Sequence, residues 1–174
     1  MKKNIAITSI CFFLGALSQV ASAEEKKSYV EIGAGSVAYE EAGWRLVPKI
    51  VKLTAGTKIV DHLAIEAMGA FGAADSTVEG ITLKVDSMLG LYLKPYFNLG
   101  DSLELYGKLG YTRLSGTASG IGGSISAHDS GFSYGAGGAF KFDDTYSVFV
   151  DYMQYYDKNG VTVRGATGGL RVAF

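Results

Sequence analysis

The chain has 174 residues, with 16 Lys and Arg against 17 Asp and Glu, two His and one Cys. That near-neutral balance gives no basis for binding nucleic acid, and so few thiols and imidazoles predict neither a transition-metal site nor a cofactor. The 24 Gly and 11 Tyr against two Pro suit long, continuously paired strands better than a looped soluble sandwich.

The first element is a predicted secretory signal over residues 1–23. Lys2 and Lys3 supply its charged start, residues 5–17 its apolar stretch, and Ala21-Ser22-Ala23 a small-residue cleavage site. Cleavage would leave 24–174 as a single barrel domain without Cys11, and so without any possible disulfide. No later apolar run is long enough for a membrane-spanning helix. A closed antiparallel barrel is then the remaining way across a bilayer, because every backbone N–H and C=O must be paired away from water.

Alternation with period two predicts eight strands, over 28–39, 46–58, 63–72, 82–97, 102–115, 130–142, 146–157 and 161–174. The fold class expected is all-β: an up-and-down, eight-stranded transmembrane barrel in the outer membrane of a Gram-negative bacterium. Along 132–142 the even positions are Phe132, Tyr134, Ala136, Gly138, Phe140 and Phe142, and the odd ones are small, polar or charged. The next strand places Tyr146, Val148, Val150, Tyr152, Gln154 and Tyr156 on one side and Ser147, Asp151 and Met153 on the other. Ten residues of tilted strand rise roughly 25 Å, the height of a lipid-facing band. Phe132, Phe142, Tyr146, Tyr156 and Phe174 are accordingly expected in the aromatic girdles. The opposite parity carries Glu31, Lys52, Glu66, Asp86, Glu104, Lys108, Asp151 and Arg171, charges of both signs that could pair inside a closed cylinder.

Residues 60–62, 98–101 and 143–145 read as tight periplasmic turns. The outer connections are expected at 40–45, 73–81, 116–129 and 158–160. Of these, 116–129 is the longest and the richest in Gly and Ser, and Asn159-Gly160 is a two-residue hairpin signal. Arg45, Lys49 and Arg113 fall near the outer end, where they could meet lipopolysaccharide phosphates. Two glycine-rich stretches, 33–36 and 135–138, lack the following helix a phosphate loop needs.

Two segments carry a family resemblance. Leu105-Tyr106-Gly107-Lys108-Leu109-Gly110-Tyr111 resembles the YGxxGxGY segment of the small OmpX/Ail outer-membrane proteins, and DSGFSYGAG over 129–137 is similar to that family's DYGFSYGAG. Asp151 and the terminal aromatic Phe174 fit the same pattern. The resemblance implies a monomeric barrel of the OmpA-like class without a catalytic site or cofactor. It also implies roles in adhesion, host interaction or envelope integrity, and a terminal Phe174 read by the outer-membrane assembly machinery.

Three functions from different classes are compatible with these residues. A structural or surface-binding barrel with a lumen filled by Met68, Met88, Tyr92, Tyr106 and Lys108 is the leading one, since eight strands enclose little more than their own side chains. A narrow porin-like channel is the first alternative. The second is a lipid A-modifying hydrolase, with His128 as base to Ser130 in a His-x-Ser arrangement that resembles that of the lipid A deacylases; its weakness is the missing orienting acid, because the stretch where that resemblance places it has Phe140 and Phe142.

Overall fold

The computed structural model describes residues 27–120 and 122–174; the predicted signal and its cleavage point at Ala23 lie outside them. Ten strands follow one another: β1 (Ser28–Glu41), β2 (Trp44–Leu46), β3 (Lys49–Val60), β4 (Leu63–Ala74), β5 (Ser76–Val78), β6 (Ile81–Leu99), β7 (Leu103–Gly120), β8 (Gly123–Lys141), β9 (Tyr146–Lys158) and β10 (Val161–Ala173). Eight of them form an antiparallel barrel in the order β10-β9-β8-β7-β6-β4-β3-β1, and β1 closes it by pairing with β10. The seam runs from Tyr29 opposite Ala173 to Glu41 opposite Val161. At its inner end Ser28 and Phe174 exchange backbone hydrogen bonds of 3.2 and 2.8 Å.

The two extra strands are hairpin extensions on the outer side. β2 folds back on β1 through Ala42-Gly43, and β5 pairs with β6 through Glu79-Gly80. Both turns hold two successive residues at positive φ, as does Asn159-Gly160 between β9 and β10, the geometry of tight hairpins whose twist matches the strands. The segments expected as outer loops at 40–45 and 73–81 are therefore largely strand. Pro48, which has no N–H to give a ladder, separates β2 from β3 and accepts a hydrogen bond from Val37 N at 3.0 Å.

The largest departure from expectation is at 116–129. Instead of a loop, β7 and β8 stay in register out to Gly120 opposite Gly123. Small hydroxyl side chains hold this protruding hairpin together. Thr117 and Ser126 share a 2.9 Å hydrogen bond, and the Thr117 hydroxyl donates to Asp86 at 2.7 Å. Gly and Ser here are a narrow, water-tolerant ribbon whose composition imitates a loop.

Among the described residues, two of four register irregularities redirect interior side chains. One lies between Val85 and Ser87 on β6, the other on β9 opposite Val163 and Arg164. Below the first, Met88 and Tyr92 point inward; above it, inward parity passes to Val85, and Asp86 falls at the irregularity itself. Below the second, Val150 and Tyr152 face out, and past it Tyr155 and Tyr156 are both buried. A strict two-residue period cannot anticipate either switch.

Candidate functional site: the filled interior and the outer face

Outward residues form a continuous apolar belt. Leu89, Leu91, Leu93, Leu103, Leu105, Leu109, Val150 and Leu170 are all exposed. The same face carries Phe97, Phe140, Phe142 and Tyr146 toward the turn side, and Tyr111, Phe132 and Tyr134 toward the outer side. Phe140 packs edge-on against Phe142 at 5.7 Å between ring centroids. An exposed belt of this extent has no place on a water-soluble monomer and matches the lipid-facing surface of a barrel. Of the expected girdle residues, Phe132, Phe142 and Tyr146 are exposed and Phe174 is half-buried. Tyr156 is not on this surface, because the β9 bulge turns it inward, where its hydroxyl donates to Asp129 at 2.6 Å.

Inside, four cations and four anions are buried together. Lys52 donates to both oxygens of Asp151 at 2.8 and 2.7 Å. Lys108 sits 2.8 Å from Glu66, 3.3 Å from Asp151 and 3.6 Å from Glu31. Arg171 reaches Glu31 at 2.8 Å and Glu104 at 2.7 Å, and Lys94 reaches Glu104 at 3.0 Å and Glu66 at 3.5 Å. Thr167 donates to Asp151, and the Tyr29 hydroxyl donates to Glu66 at 2.6 Å. Lys94 also lies between two aromatic faces, 4.7 Å from the Tyr29 centroid and 4.2 Å from that of Tyr106. Each charge thus meets more than one opposite partner or ring, the condition under which buried ions are tolerated.

Lys94 was missed by sequence reasoning although its even position on β6, shared with Met88 and Tyr92, carried the signal. Asp86 stands apart from this network. Its carboxylate is 4.0 Å from Lys84 and accepts from Thr117, because the β6 bulge lifts it out of the inward row. Glu31, Lys52, Glu66, Glu104, Lys108, Asp151 and Arg171 are brought together.

On the outer side of the ions an apolar cluster of Ile50, Met68, Met88, Tyr92, Met153 and Tyr155 fills the barrel. Toward the turns a second cluster unites Tyr106, Ala139 and Phe149. Beside the network a void of about 10 Å³ borders Lys52, Glu66, Tyr92 and Lys108. Inward glycines make room for the large side chains. A Cβ on Gly56 would stand 2.3 Å from the Tyr29 ring, and one on Gly137 2.7 Å from that of Tyr106.

Arg45, Lys49 and Arg113 are exposed, but they do not form one cluster. Arg45 on β2 lies 3.4 Å from Glu40, and Arg113 on β7 is separated from Lys49 on β3 by β6 and β4. His128, Asp129 and Ser130 lie on β8 opposite Ser115, Leu114 and Arg113. Strand parity puts His128 and Ser130 on one face and Asp129 on the other. The Asp129 carboxylate accepts from Ser130 N at 2.7 Å and from Tyr156, and these two hydrogen bonds hold its carboxyl below the usual aspartate range. Among the described residues no three His, Cys, Asp or Glu side chains are grouped to hold a metal ion.

Comparison with known proteins places this geometry. The model of the outer membrane protein beta-barrel domain matches residues 7–174. Among solved structures, Ail of Yersinia pestis in complex with the heparin analogue sucrose octasulfate is 22% identical; it covers 87% of this chain and 100% of its own, with a TM-score of 0.64. Neisserial surface protein A is 13% identical, over 84% of this chain and 97% of its own, at 0.68. The N-terminal barrel domain of Pseudomonas aeruginosa OprF is 12% identical, over 87% and 100%, at 0.62. No curated protein sequence matches.

Proposed function

This chain belongs to the outer membrane protein beta-barrel domain family, and from that premise we propose that it is a closed-lumen, monomeric barrel acting at the cell surface. It neither conducts solutes nor catalyses a reaction. Its mature part is residues 24–174, freed by cleavage after Ala23, and Phe174 is the aromatic that the assembly machinery reads. One observation carries the closed-lumen reading: four buried cations and four buried anions pair across the interior, with apolar clusters on both sides. An ion entering would have to break several of these contacts at once. Planar-bilayer recording of the pure protein tests this, with no steady conductance expected; a stable, solute-permeable channel would defeat it.

The outer hairpins are the recognition surface. Their charges are compensated locally: Arg45 and Arg164 both pair with Glu40, at 3.4 and 2.8 Å, and Lys84 neighbours Asp86. This mixed pattern disfavours a polyanion such as the heparin analogue bound in the Ail complex, and favours envelope integrity or a partner of mixed charge. Arg45, Lys49 and Arg113 are proposed to meet lipopolysaccharide phosphates at separate points around the rim. Replacing all three should lower the lipopolysaccharide retained on purification, and unchanged retention would remove that role. The hydrolase reading has less support, because the adjacent carboxylate, Asp129, lies on the face of β8 opposite His128 and Ser130.

A further inference from the structure

The outer mouth of the barrel holds a cavity of about 710 Å³, within the range of small-molecule sites. Its floor is apolar, made by Val37, Met88 and Tyr156 at the top of the cluster that seals the barrel. Its walls are apolar too, formed by Leu46, Leu83, Val85, Leu114 and Val161. A mouth that faces water and serves only as the end of a plug would be lined with polar side chains. Here the edge instead leaves Ile125 75% and Trp44 40% exposed. The bulge at Asp86 contributes directly, since it swings Val85 inward while putting Asp86 beside Lys84.

The charges lining the cavity are of both signs: Lys84 on β6, Glu41 on β1 and Asp129 on β8. They belong to three different strands around the opening. An apolar well of this size with such a rim complements a flexible hydrocarbon chain attached to a head carrying both a negative and a positive group. We propose that the outer mouth binds a single-chain zwitterionic amphiphile, with its tail on Met88 and Leu114, its acidic group toward Lys84 and its cationic group toward Glu41 and Asp129. This site goes beyond the surface role above and does not depend on it.

Trp44 lines the cavity and is the only tryptophan of the chain, so its emission reports the site. The barrel is reconstituted at one copy per nanodisc of diacylphosphatidylcholine and titrated with lysophosphatidylcholine brominated along its chain. Saturable quenching of Trp44 is expected. Leu114→Glu, which puts a charge in the wall, and Val161→Phe, which fills the space without one, should each weaken it at least tenfold. Heat-modifiable gel mobility identifies folded variants. The same brominated chain on an anionic lysophosphatidylglycerol should bind at least fivefold more weakly. Linear, non-saturating quenching, or quenching equal in folded Val161→Phe, would overturn the site. Equal binding of the anionic lipid would overturn the proposed zwitterionic ligand. Trp44 emission that responded to two barrels per disc and not to lysolipid would assign the mouth to a second copy and overturn the proposal.

Discussion

Lys52 on β3 grips both carboxylate oxygens of Asp151 on β9, at 2.8 and 2.7 Å, across strands that are not neighbours in the sheet. That bond joins one edge of an interior network to its centre, because Asp151 also meets Lys108 at 3.3 Å. The fold therefore has a second set of long-range ties besides its backbone ladders, made by side chains through the lumen.

Lys108 is the most connected member, near Glu31, Glu66 and Asp151. Lys108→Met removes one charge and leaves three buried carboxylates short of a partner, so it should destabilise by about 3–5 kcal/mol. Urea unfolding of the protein in lipid vesicles measures this; a loss below about 1 kcal/mol would mean that the remaining cations redistribute to cover the gap.

Leu91 is 64% exposed on the lipid face. Leu91→Lys near mid-depth should cost about 2–4 kcal/mol in the same assay. Unimpaired folding in lipid would show that this face does not meet hydrocarbon.

Gly137 lies beneath Tyr106. A Cβ there would stand 2.5 Å from the Val150 carbonyl oxygen and 2.7 Å from the Tyr106 ring. Gly137→Leu should therefore overpack the lower cluster, cost about 1–3 kcal/mol, and broaden the ring signals of Tyr106 in NMR spectra. Gly43, with nothing within 4 Å of the same added atom, is the spatial control, although its positive φ adds a backbone cost of its own.

Asp129 anchors the base of the protruding hairpin to Tyr156. Its carboxyl is held below the ordinary aspartate value, about 3.9, chiefly by the Tyr156 hydroxyl and then by Ser130 N. The folded form thus binds its proton less readily than the unfolded chain. The stabilisation is complete above the unfolded value and is lost as pH falls through the folded one. Protection factors along 124–130, taken against the intrinsic amide exchange rate at each pH, should therefore fall on acidification below about pH 4, and Asp129→Asn should flatten that dependence. An unchanged acid response in Asp129→Asn would place the titrating group elsewhere.

Much of the architecture was readable because a barrel wall repeats one rule, lipid outside and packed charge inside, on every strand. The alternation of Phe132, Tyr134, Phe140 and Phe142, and the inward parity of Glu31, Lys52, Glu104 and Arg171, come straight from that rule. What escaped was each place where the rule is locally broken. The bulges at Asp86 and Tyr155 insert one residue and exchange the two faces, and no composition signal marks them. The composition of 116–129 imitates a loop because Gly and Ser are the residues of mobile connections. Pairing of two such ribbons becomes visible only when Thr117 is seen opposite Ser126. Ala42-Gly43 and Glu79-Gly80 turn as tightly as Asn159-Gly160, yet Ala and Glu carry little of the left-handed preference that makes Asn recognisable. The mouth cavity depends on which residues seven strands bring to one height, information that no single strand contains.

The seam between β1 and β10 joins residues as far apart as Ser28 and Phe174. Until those two strands meet, the sheet has two raw edges whose amides find no partners in hydrocarbon. Insertion and closure are consequently coupled events. A partly assembled wall is costly to leave in the bilayer, and the most distant contact among the described residues is also the one that makes the others compatible with lipid.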